Sequence, residues 1–129
     1  MIVFASKAFL RFARKEGLAD RSLCLAVEAA LQGRVDADLG GGVIKQRIAR
    51  PGQGKSGGYR VIILLRIGSR ALFVHGFGKR DKANITPAEL DGFRELAAVL
   101  LALDESQMSA LVAKGAFVEI RNGTDENLH

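Results

Sequence analysis

Between Arg50 and Arg60 the chain reads RPGQGKSGGYR, and glycines crowding one lysine and one serine are the materials of a phosphate cradle. A nucleotide-binding loop of that kind needs a further glycine five residues before Gly54, and that position is Ala49. It must also open a helix whose first amides face the phosphates, whereas GYRVIILLRIG continues here as a strand rich in Val, Ile and Leu. The segment therefore reads as a flexible strand connection. What needs explaining is its cations. Lys45 and Arg47 precede it, Lys55 lies inside it, Tyr59 and Arg60 close it, and Lys79, Arg80 and Lys82 follow one hairpin later. Guanidinium groups offer forked, permanently charged donors suited to phosphate oxygens. For proton transfer near such a centre the candidates are Lys45, Lys79, Tyr59 and His75.

His75 sits in LFVHGFG, alternating with Phe73 and Phe77, and a lone histidine on an apolar strand face reads first as a core residue. Tyr59 fits equally a ring that stacks on a base and one that fills the sheet edge. Arg66 and Arg70 flank a turn and read as solvated. No metal site is expected: His75 and His129 are the only histidines, and Cys24, the single cysteine, allows neither a disulfide nor a cysteine cluster.

The charge distribution sharpens the reading. The chain has 129 residues, 48% of them hydrophobic, which suits one domain with a real core and excludes general disorder. Its net charge is +5. Val43 to Lys82 alone carries ten basic residues against one acid, Asp81, while the remainder is net negative. One sign concentrated in one stretch is the footprint of a polyanion partner, nucleic acid first among them. No apolar run approaches the roughly 20 residues of a membrane span, and MIVFASKAFLRFARK is charged too early for a secretory signal. A cytoplasmic protein with no membrane partner is the expectation.

The elements that must position these cations follow from periodicity and punctuation. Ser6 caps a helix over Lys7 to Glu16, and Gly17 ends it. Asp20 caps a second helix through Gln32, closed by Gly33. Gly40 to Gly42 form a turn or bulge before a strand over Val43 to Ala49, whose alternation sets Val43, Lys45, Arg47 and Ala49 on one face and Ile44, Gln46 and Ile48 on the other. Arg60 to Ile67 and Ala71 to Phe77 form an antiparallel hairpin about IGSRA. Thr86, Pro87 and Glu89 make a capping box for a helix to Leu103. A short helix to Lys114 and a strand in AFVEI complete the pattern, and residues 122–129 form a polar, frayed tail. The expected fold is α+β in two layers: one domain over residues 1–121, a small twisted antiparallel sheet packed against an N-terminal helical hairpin and C-terminal helices. The end of the third strand then lies beside the start of the second, which gathers the cations at one sheet edge.

At this point GGVIKQRIAR, GQGKSGGYRVI and FVHGFGKRDKANI resemble the RelE/ParE superfamily of bacterial type II toxin–antitoxin systems, and within it RelE-type and HigB-type toxins. The resemblance runs from about Val3 to Ile120. It implies a toxin held by a cognate antitoxin, and an endoribonuclease that cuts messenger RNA at the ribosome with neither metal nor small-molecule cofactor. ParE-type relatives poison DNA gyrase instead, so a binder that cuts nothing, or a decayed homologue, is the alternative. By motif, Arg60 and Arg80 match the two arginines that contact the scissile phosphate. Lys45 and Arg47 match a pair of cations on the preceding strand, whereas Lys55, Tyr59, Lys79 and Lys82 are expected to contact RNA by proximity. One departure stands out: a tyrosine used in proton transfer by RelE proper is here Thr86, whose hydroxyl suits a helix cap better than acid–base work.

Overall fold

YRVIILLR, Tyr59–Arg66, has no polar residue between Val61 and Leu65, so it can rest only where both of its faces are covered. In the computed structural model, which describes residues 1–49, 58–78 and 84–121, it is strand β4 of a six-stranded sheet. The other elements, in chain order, are β1 Ile2–Ser6, α1 Lys7–Glu16, α2 Asp20–Leu31, β2 Ala37–Gly40, β3 Val43–Ile48, β5 Arg70–Gly78, α3 Pro87–Leu100, α4 Glu105–Ala113 and β6 Phe117–Ile120. The strand order is β2-β3-β4-β5-β1-β6, antiparallel throughout except where β1 runs parallel to β5. The fold is α+β, with a twisted, unclosed and mostly antiparallel sheet.

The expected two layers are in fact three. Val61 and Ile63 point to one side of the sheet and pack with Phe9, Leu23 and Val27 of the α1–α2 hairpin. Ile62 and Leu64 point to the other and meet Ala97, Leu100 and Met108 of α3 and α4. Burying each such Leu, Ile or Phe contributes roughly 1.5–3 kcal/mol relative to leaving it in water. The sheet is thus the middle of the molecule.

Several local expectations hold. Ser6 Oγ accepts from Phe9 N–H at 3.1 Å and caps α1, and Gly17 ends that helix at φ +73°. At Asp104 and at Thr86 reciprocal capping boxes start α4 and α3. Other details differ. Asp20 is the first residue of α2 rather than its cap; Ala19 holds the cap position without a side-chain bond. Helix α3 ends at Leu100, three residues earlier than expected. Strands β1 and β2 were both unforeseen, the first because it runs into a helix with no turn, the second because it is only four residues long.

Arg66 and Arg70 are not simply solvated, contrary to expectation. Arg70 is buried and its Nη1 donates to Leu100 O at 2.9 Å, while Arg66 Nη1 donates to Leu101 O at 3.0 Å. Both cations thereby serve the C-terminal end of α3, whose last carbonyls lack helical partners and carry the negative end of the dipole.

One irregularity decides which side chains share a face. Ile62 stands opposite His75 but Ile63 opposite Phe73, so Val74 is an extra residue in β5. The bulge keeps Phe73 on the α1 side, 5.1 Å from the Phe9 ring, and turns His75 and Phe77 to the α3 side, where His75 lies 5.5 Å from the Phe93 ring. Gly76 follows the bulge because nothing larger fits: a Cβ there would lie 2.4 Å from Cε2 of Phe12. The tail expected at residues 122–129 lies outside the described residues.

Candidate functional site

Strand β3 pairs with β4 so that Lys45 faces Ile62 and Arg47 faces Arg60. Because Ile62 belongs to the α3 side, Lys45, Arg47 and Arg60 share that side, as the alternation along VIKQRI requires. Directly opposed residues in an antiparallel pair bring their Cβ atoms to about 5 Å, and like charges there are destabilising. Two arginines stand in that relation, with a lysine two residues along on the same side, so positive charge is concentrated there.

Arg47 is exposed, whereas the side chains of Arg60 and Lys45 are mostly but not fully buried. Arg60 is 11% exposed and Lys45 16%. Both meet a single acid that sequence reading did not foresee. Asp36 Oδ2 lies 3.4 Å from Arg60 Nε and 3.8 Å from Lys45 Nζ, with a quarter of its side chain exposed. Lys45 Nζ also reaches Asn84 Oδ1, just before α3, at 3.5 Å. Arg60 Nη1 is shielded from solvent and finds no hydrogen-bond acceptor among the described residues. One carboxylate against three cations leaves the cluster net positive.

Asp36 is placed from behind by Gln46, a buried polar residue on the opposite face of β3. Asp36 N–H donates to Gln46 Oε1 at 3.0 Å, and Gln46 Nε2 donates to Ala26 O and Arg34 O, both at 2.9 Å. The amide thus ties α2, the segment leading to β2 and β3 into one unit. Beside it an open groove of about 700 Å³ runs between α2 and β3, lined among others by Leu25, Arg34, Asp36 and Arg47.

Tyr59 belongs elsewhere. It is 2% exposed, lies edge-on to Phe12, donates its hydroxyl to Glu16 Oε1 at 2.9 Å and faces α1, away from Arg60. Adjacent residues of a strand project to opposite faces, so the tyrosine fills the core and offers no ring to a base. His75, by contrast, shares the Arg60 side, since Phe77, two residues along on the same side, is the Cα partner of Arg60. Thr86 Oγ1 accepts from Glu89 N–H at 3.1 Å while Thr86 N–H donates to Glu89 Oε1 at 2.8 Å, so its hydroxyl is engaged as a cap. Strand β5 ends at Gly78, the Cα partner of Tyr59. Lys55, Lys79, Arg80 and Lys82 lie outside the described residues.

A family model described as the RelE toxin of the RelE/RelB toxin–antitoxin system matches residues 1–120. The chain belongs to the RelE toxin family. Among curated proteins, none matches it. As a RelE-family toxin it has an antitoxin for a partner, and among the described residues no single helix is long and apolar enough to cross a membrane.

Proposed function

We propose that this toxin is a metal-independent endoribonuclease that cuts messenger RNA, on the ribosome and in the cytoplasm, and so arrests translation until its antitoxin covers the cationic face. The observation that carries this reading is the convergence of Lys45, Arg47 and Arg60 on one side of the sheet, with a shielded guanidinium nitrogen of Arg60 that has no acceptor among the described residues. Cleavage of RNA by its own 2′-hydroxyl needs stabilisation of a doubly charged phosphorane, and the forked donors of Arg60 suit that charge. Arg80 is the second arginine of the proposal, on its motif alone. Lys45 and His75, on the same side, are the groups for proton transfer, with Lys79 a third by sequence.

A second reading has one observation in its favour. Thr86 stands where RelE proper has its tyrosine, and its hydroxyl is committed to Glu89. A toxin lacking that proton donor could act as a ParE-like binder of a protein or DNA target.

Inducing the wild-type chain, Arg60→Ala and Arg80→Ala in a bacterium, then mapping message ends and plasmid supercoiling, separates the two. New ends inside translated codons, lost in both variants, support the endonuclease. Arrest with intact messages and altered supercoiling supports the binder. Loss of one phosphate-facing donor is expected to slow cleavage about a hundredfold.

A further inference from the structure

Among the described residues, the acid that meets both Lys45 and Arg60 has a place that chance would not hold. Asp36 precedes β2, and its backbone is fixed by Gln46 rather than by a strand partner alone. Its carboxylate pairs with Arg60 at Nε, 3.4 Å away, while Nη1 has no hydrogen-bond partner among the described residues. An arginine paired at Nε keeps Nη1 for a second anion, and the pair restrains its guanidinium before that anion arrives. Lys45 lies between the same carboxylate, at 3.8 Å, and Asn84 Oδ1, at 3.5 Å, and is restrained likewise. Were Asp36 merely balancing surface charge, one cation would suffice, and no buried amide would be spent on locating its backbone.

We propose that Asp36 is a positioning residue of this site: through its contacts with Arg60 Nε and Lys45 Nζ it pre-orients the two cations for a phosphodiester. The inference rests on the endonuclease reading for its catalytic consequence and on geometry for the rest. It sets two effects of the carboxylate against each other. As a negative charge beside the anion site it weakens RNA binding; as an orienting group it speeds the step that follows. A misplacement near 1 Å of a group acting on the transition state costs about a hundredfold in rate. Removing the charge while keeping the shape therefore separates binding from chemistry.

The test compares wild type, Asp36→Asn and Asp36→Glu for cleavage of a message on programmed ribosomes under single turnover, with toxin titrated to saturation. In parallel, the Arg60 Nε–H resonance is assigned by its loss in Arg60→Lys. The expected result for Asp36→Asn is a saturating rate lower by at least about tenfold, with half-saturation at the same or a lower toxin concentration. The Arg60 Nε–H signal is expected to move toward that of freely exchanging arginines, and Asp36→Glu to recover part of both. Thermal unfolding of each variant checks that it is folded. An Asp36→Asn protein that cleaves as fast as wild type, or one that slows with the Arg60 signal unmoved, overturns the inference. If wild type cuts no message, the endonuclease reading is the one that fails. The inference is then decided by the Arg60 signal alone, which must move in Asp36→Asn.

Discussion

Gln46 offers the cleanest measure of what holds the site. Replacing it with leucine keeps the size and removes one acceptor and two donated hydrogen bonds, to Asp36 N–H, Ala26 O and Arg34 O. A net hydrogen bond contributes about 1 kcal/mol, and a partner stranded away from water costs about 1–3 kcal/mol. Ala26 O is the partner whose bond is fully buried, whereas the other two bonds are partly buried and their groups can turn toward solvent. The sum is about 3–5 kcal/mol, from which the added apolar burial of leucine takes back about 1 kcal/mol. The expected loss is therefore about 2–4 kcal/mol, readable as a lower urea midpoint at unchanged slope and a melting temperature lower by about 10 °C. Gln46→Glu is the sharper arm. It can still accept from Asp36 N–H but sets a buried carboxylate against two carbonyl oxygens, so it should be less stable than Gln46→Leu. A leucine variant within about 0.5 kcal/mol of wild type, or a glutamate variant more stable than the leucine one, would refute the reasoning.

The bulge and the helix caps give two more expectations. Gly76→Ala forces a methyl group against Phe12 and should cost about 1–3 kcal/mol by overpacking; adding Phe12→Leu should recover part of that cost in a double-mutant cycle of urea unfolding. Thr86→Ala removes the cap at Glu89 N–H and should lower stability by about 1 kcal/mol while leaving growth arrest intact, because the hydroxyl is occupied by the helix and not by chemistry.

The hairpin of β4 and β5, the capped helices and the shared strand face of Lys45 and Arg47 were legible because each follows from local spacing. Alternation along VIKQRI needs no tertiary knowledge, and neither does a Thr-Pro-x-Glu start. What failed was non-local. Strand β1 earns its place only by lying between β5 and β6, and nothing within IVFAS announces neighbours so distant. Missing β2 also hid Asp36, for the register that sets Ala37 opposite Lys45 is what brings the adjoining acid to that lysine. Tyr59 stayed open between two roles because a strand's first residue can face either side until its partner is known, and the separation of Phe73 from His75 was hidden because a single extra residue reverses the alternation. Arg70 escaped for a related reason: its acceptor, the end of α3, is distant in sequence and has no side-chain signature.

The place of β1 has a consequence for how the molecule is made. Val3 pairs with Ile120 and Ser6 with Phe117, so the sheet joins residues from opposite ends of the described chain. Contacts of such separation are slow to form because a long loop must close first. While a ribosome is still adding the residues of β6, one rim of β1 has no partner, and an unpaired rim invites other strands to add to it. A toxin assembled in this way has its sheet complete only once the residues of β6 have been added.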